Sequence, residues 1–305
     1  MKNKKRTAWI IFFIVAIIVI ISLVAFFNNI IPRDIKDSNK IAVISIKGPI
    51  TSNDGDSDGF FYQNTITSSS LVGFIESANK DKNIKGIILN INSPGGSVVA
   101  TKEVVDSVKK VDKPIVALIR EVGASGAYWI ASATDVIIAD PLSITGSIGV
   151  LGSYLEFSDL MKKYGVEYQN IKTGEYKDLG NQFVDLTPQG KKILEGKLNI
   201  IHKYFLDDVN RNRKKDLTQY ANGLFYLGTE AKEIGLIDEL GGKEEAIAIV
   251  KKLAGVKEEP ELVFYKSKKS IFDILNRVFN DFGFSIGRGI GKEFAIQENF
   301  DIKLE

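Results

Sequence analysis

Between Glu121 and Ser132 the sequence EVGASGAYWIAS joins a short apolar run, Pro114 to Ile119, to small and apolar residues running from about Ser125 to Thr134. The first run reads as a buried strand and the second as a helix. A strand that breaks at glycine and re-enters a helix leaves the turn residue at the helix N-terminus. There the first N–H groups lack partners and the macrodipole favours negative charge. A serine in that position presents its hydroxyl beside ready-made oxyanion donors, the requirement for acyl transfer through a serine nucleophile. The plainer role for Ser125 is that of a helix N-cap.

Composition narrows the choice of base. The chain has 305 residues, no cysteine and a single histidine, His202. Disulfides, thiolate metal sites and a cysteine nucleophile are excluded, and so is a multi-histidine metal site; no metal or other cofactor is expected. A serine paired with a lysine is the simplest combination left, and Ser–Lys is a known variant of triad logic. An ordinary lysine, with a pKa of about 10.4, is mostly protonated and useless as a base; burial disfavours its charge and lowers that value. His202 is the rival base. It lies in LNIIHKYF, 198–205, a helical amphipathic run in which it reads as a surface or boundary residue. Ser147, between two glycines in the segment 141–150 (PLSITGSIGV), is the rival nucleophile.

The elements that must position these groups follow one another as strand and helix. Strands are expected at Ile41–Ile50, Lys85–Asn92, Pro114–Ile119, Val136–Asp140 and Val166–Ile171. Helices are expected at Thr67–Asn79, Val98–Lys110, Phe157–Lys163, Thr187–Arg213 and Lys243–Leu253. Apolar strands separated by helices argue a parallel α/β core. Ser93 to Ser97 (SPGGS) sits between a strand and a helix, where paired glycines allow close backbone approach; it lacks the Gly-Lys-Ser/Thr of a phosphate-binding loop. Asp54 to Gly59 resembles the start of a calcium loop, but Thr65 stands at its twelfth position, and it reads as a solvated loop. In the last fifty residues, Leu262 to Tyr265 suggests a strand. Ile271, Ile274, Leu275, Val278 and Phe279 suggest an amphipathic helix. Gly287 to Lys292 is no dinucleotide fingerprint, since no strand precedes it.

At the other end, Ala8 to Phe27 is apolar apart from Ser22, long enough to cross a bilayer core. Lys2, Lys4, Lys5 and Arg6 precede it, which places residues 1–7 in the cytoplasm and the body of the chain outside. The length of the run favours an uncleaved anchor, residues 8–28, over a cleaved signal peptide. Residues 29–40 read as a linker. Forty basic residues against 38 acidic give no reason to expect nucleic acid as a partner.

Four motifs in order, NSPGG at 92–96, ASG at 124–126 leading into an aromatic helix, TGSIGV at 145–150 and GEYK at 174–177, resemble the signal peptide peptidase A (SppA) family of serine–lysine proteases from about Ile41 to Val250. The resemblance implies a Clp-protease/crotonase-like α/β fold, a spiral of ββα units, over residues 41–255, with 256–305 left as a C-terminal arm. It implies Ser125 as nucleophile, Lys177 as general base, Ser147 as the serine that holds the lysine amine, and the N–H groups of Gly96 and Gly126 as the oxyanion hole. Ala127, where many relatives have glycine, and Asn181-Gln182 beyond the lysine depart from the family pattern. The resemblance further implies remnant signal peptides and other apolar peptides as substrates at the membrane, and a ring of identical chains in which the lysine comes from the same or a neighbouring subunit. Two other readings stand beside it: a related Ser–Lys protease acting on a membrane protein such as a stomatin-like partner, and a non-proteolytic crotonase-like protein binding acyl-CoA.

Overall fold

The computed structural model describes residues 13–23, 39–52 and 65–266. Residues 13–23 are helical (α1). They belong to the expected anchor, whose remaining residues, like the acidic loop at 54–59 and the tail beyond 266, lie outside the described residues. Among the described residues no helix is long and apolar enough to cross a membrane.

An eight-stranded sheet forms the core. Its strands are β1 (Lys40–Lys47), β4 (Ile84–Ser93), β5 (Ile115–Ala124), β6 (Val136–Ala139), β7 (Ile144–Gly146), β8 (Phe225–Leu227), β9 (Glu239–Leu240) and β10 (Glu261–Tyr265). The main path runs β10-β1-β4-β5-β6-β9, with every neighbouring pair parallel. β2 (Ile50–Thr51) and β3 (Ile66–Thr67) make a separate short parallel pair. The central strands are apolar runs because both faces are covered. Ala42, Ile44, Ile46, Ile87, Leu89 and Ile91 face one large core, whereas the alternate residues Ile41, Val43, Ile88, Val116 and Leu118 face a second core completed by Ala246 and Val250. The first face carries α2 (Ser68–Lys80), α3 (Val98–Val108), α4 (Gly126–Ser132) and α6 (Pro188–Arg213), packed in succession; the second carries α8 (Lys243–Leu253). α6 starts where Thr187 accepts a hydrogen bond from Gly190 N, with Pro188 in its first turn.

The path of β5 matters most for function. Val116 to Ile119 pair with β6, but Val122 to Ala124 pair with β7. The strand runs five residues beyond its expected end at Ile119, past exposed Arg120 and Glu121, and carries its C-terminal end to the top of α4.

Two further boundaries differ from expectation. Val166–Ile171 is no strand: these residues are irregular and exposed, with no partner strand to satisfy their backbone. Their alternation of apolar and polar residues decorates an excursion, between β7 and α6, whose one regular element is α5 (Ser158–Lys163). The expected strand at Leu262–Tyr265 is β10, hydrogen-bonded to β1, so the central sheet continues past residue 255. The remaining regular elements are α7 (Gly228–Ile234) and a short 3₁₀ turn at Thr218–Tyr220.

Candidate active site

Ser125 lies at the junction of β5 and α4 with φ 54° and ψ −124°. Among the described residues only Ser125, Ser147 and Lys214 have positive φ without being glycine. Such backbone conformations cost roughly 1–3 kcal/mol for an L-residue and persist where the surroundings over-determine them. At Ser125 they do: its N–H donates to Gly146 O on β7 at 2.8 Å, and its carbonyl accepts from Trp129 N at 3.0 Å. The side chain caps nothing. Ser125 thus holds the N-cap position of α4 without its side chain capping the helix, and it lines the cavity.

Gly95 and Gly96 come against this serine from the end of β4. A Cβ on Gly95, which has φ 101°, would lie 2.7 Å from Gly126 N and 3.1 Å from Ser125 Cβ; only glycine fits. The turn is held by Ser93 Oγ, which accepts from Gly95 N at 3.2 Å. Gly96 bridges Ile50 in parallel fashion: Ile50 N donates to Gly95 O, and Ser97 N donates to Ile50 O, each at 2.9 Å. In that pattern the bridging residue's own N–H points to the opposite side, away from β2. Gly126, the first helical residue of α4, has an N–H with no intrahelical acceptor. Among the described residues no acceptor takes either N–H, and Gly96 and Gly126 line the same cavity as Ser125.

Ser147 closes the opposite wall. Its N–H donates to Leu224 O at 2.8 Å and its hydroxyl donates to Gly223 O at 3.2 Å. The hydroxyl proton is spent, so the oxygen is free to accept. Ser125, Ser147, Gly96 and Gly126 all line one cavity of about 870 Å³.

Lys177 does not line that cavity. It is exposed at the end of the turn 174–177, where its N–H donates to Gly174 O at 3.2 Å. Among the described residues no hydrogen bond joins it to Ser125 or Ser147. The apolar side chains of the same excursion are exposed as well, Ile171 at 99% and Leu151 at 83%.

Residues 107–257 match peptidase family S49, and residues 62–138 match Clp protease. "Putative protease MJ0651" of Methanocaldococcus jannaschii is 32% identical over 279 residues, covering 89% of this chain and 88% of that protein. "Protease 4" of Haemophilus influenzae is 32% identical over 72% of this chain and 36% of its own length. "Putative signal peptide peptidase SppA" of Enterococcus faecium is 31% identical over 70% of this chain and 64% of its own length. The chain belongs to the SppA family, peptidase family S49. The parallel sheet with its Clp-protease-like segment is the α/β fold expected of an SppA-family chain. The chain spans about a third of the Haemophilus relative.

His202, named from the sequence as the rival base and read as a surface or boundary residue, is half-buried, while Trp129, Asn222 and Gly223 were not singled out there. His202 lines the cavity from α6, and its Nε2 is buried without a hydrogen-bond partner; it makes no hydrogen bond to Ser125. The Asn222–Gly223 turn that engages Ser147 also lines it. Trp129, one helical turn after Ser125, lines it too, stacked on Phe205 at 4.8 Å between ring centroids. Its indole N–H donates to Asp208 Oδ2 at 2.8 Å. Burial works against the Asp208 charge, but hydrogen bonds from Lys109, Trp129 and Arg211 outweigh it and hold the carboxyl below its usual range. The clue in sequence was an acidic residue on the apolar stripe of a long helix.

Proposed function

We propose that this chain is a membrane-anchored serine endopeptidase that degrades remnant signal peptides with a Ser125–Lys177 dyad. The observation that carries the reading is Ser125, strained and with a hydroxyl that caps nothing, lining one cavity with Gly96 and Gly126. Lys177, as a neutral amine, takes the Ser125 proton while Oγ attacks the scissile carbonyl carbon. The carbonyl electron pair moves to oxygen, where Gly96 and Gly126 meet it. The lysine ammonium then protonates the departing amine, and an acyl-enzyme remains. Water repeats the sequence, giving its proton to Lys177 and leaving Ser125 free. Because the Ser147 hydroxyl donates to Gly223 O, it accepts from a lysine N–H and leaves the nitrogen lone pair for Ser125.

Lys177 reaches Ser125 across a contact between identical chains. What supports this is its exposure, its place outside its own chain's cavity, and the exposed apolar side chains around it. Covering that excursion with a second copy removes the amine from water, which favours its neutral form. The apolar run Ala8–Phe27 ties the catalytic domain to the outer face of the cell membrane, where cleaved signal peptides are left, and the name of the Enterococcus relative points to the same substrate.

The test is hydrolysis of a fluorogenic apolar peptide by the full-length chain in detergent. Ser125→Ala and Lys177→Ala are each expected to lose at least about a thousandfold in kcat. An equimolar mixture of the two is expected to recover roughly a quarter of the wild-type rate by random assembly of closed rings. Activity retained by Ser125→Ala sinks the nucleophile assignment; a mixture that stays inert places the dyad within one chain.

A further inference from the structure

Asp208 sits on α6 with 4% exposure, outside the reacting groups, yet it is bonded to two other helices as well as to its own. Its carboxylate accepts from Lys109 Nζ at 2.7 and 2.8 Å, from Trp129 Nε1 at 2.8 Å and from Arg211 Nη2 at 2.7 Å. Lys109 is the C-cap of α3, and Trp129 lies within α4. Each of those two helices begins at one oxyanion donor: α3 follows Gly96 and Ser97, and α4 starts with Gly126. The relative placement of the two N–H groups is therefore the relative placement of two short helices of 11 and 7 residues. Asn212 Nδ2, which donates to Ser132 Oγ at 3.1 Å, adds a second tie between α6 and α4.

Stability alone is a weak reason for such a group. A buried ion pair can be exchanged for packed apolar side chains with little loss and sometimes with a gain. What an apolar patch does not supply is direction, and charge-assisted hydrogen bonds from three helices do. An oxyanion site needs its donors fixed before charge develops, since displacing one by about an ångström costs on the order of a hundredfold.

We propose that Asp208 is a positioning residue for the oxyanion hole, locking α3 to α4 through Lys109 and Trp129 so that Gly96 and Gly126 converge on one oxygen. This rests on the Ser125 reading. It predicts that loss of the carboxylate charge weakens transition-state binding and leaves ground-state peptide binding intact.

The experiment compares wild type, Asp208→Asn and Lys109→Met in the full-length chain, with kcat and KM measured well below each melting midpoint. Affinity for a peptide aldehyde, which forms a tetrahedral adduct on the serine, is measured alongside. Asp208→Asn keeps an acceptor for Trp129 and loses the charged ties. The expected result is a fall of about tenfold or more in kcat, KM within about twofold, and a parallel loss of aldehyde affinity. Lys109→Met is expected to show a smaller loss of the same kind. A folded Asp208→Asn protein with wild-type kcat, or a loss confined to KM, overturns the proposal. Should Asp208→Asn fail to fold, unchanged kcat and aldehyde affinity in Lys109→Met overturn it instead. Ser125→Ala, run beside them, separates the two claims: if that variant stays active the nucleophile assignment has failed, whereas an inert Ser125→Ala beside a fully active Asp208→Asn rejects the positioning role alone.

Discussion

Ser125 occupies a backbone conformation that glycine would hold with less strain. The flanking Gly123 and Gly126 were visible in the sequence; the positive φ of the serine itself was not, because the bond from Ser125 N–H to Gly146 O on β7 that accompanies it joins residues 21 apart in the chain. Ser147, the other site serine, shares this trait with φ 49°. The two serines of the proposed mechanism are thus two of the three non-glycine residues in that region of backbone space. His202 stood out as the lone histidine and Asp208 as an acidic residue on an apolar stripe, but their surroundings were not legible, because their neighbours come from elements far away in the chain. A direct consequence is that Ser125→Gly should be inactive yet more stable. Relief of roughly 1–3 kcal/mol of strain exceeds the roughly 0.5–1 kcal/mol that glycine's extra freedom costs. The melting midpoint should rise by a few degrees, about 2–4 °C per kcal/mol at this size. A lower midpoint in thermal unfolding would show that the conformation is unstrained.

At the scale of elements, the strands β1, β4 and β6 were readable as apolar runs, and α2, α3, α6 and α8 as periodic ones, to within a few residues. Two misreadings have physical causes. β5 extends through charged Arg120 and Glu121 because its second half leaves β6 for β7 and exposes those side chains. Residues 166–171 alternate like a strand but have no neighbouring strand, and a strand is defined by its partner. The α3–α4–α6 cluster also has a pH signature. The Asp208 carboxyl is held below its ordinary range in the folded chain. Its contribution to stability is therefore fully present above the unfolded value of about 3.9 and is lost as pH falls through the lower folded value. Wild type and Asp208→Asn should differ most in urea midpoint near neutrality and converge on acidification below about pH 4. A gap that stays constant from pH 7 to pH 3 would remove the charge from the explanation.

Across the whole molecule, Gly96, Ser125, Gly126 and Ser147 lie at one end of a mainly parallel sheet whose order interleaves distant parts of the chain. β10 covers the outer edge of β1 and is the last described strand. Truncation after Gly255 removes it, so the shortened chain should lose stability and gain a tendency to associate, measurable by light scattering; an unchanged monodisperse product would show that β10 is dispensable. That pairing also sets an order in time. β1 leaves the ribosome early, and the strand that shields its outer edge follows about 200 residues later, on the order of ten to forty seconds of synthesis. During that interval an apolar strand has one edge unsatisfied. A nascent chain of this kind has reason to meet a holding chaperone before it ever meets a peptide to cut.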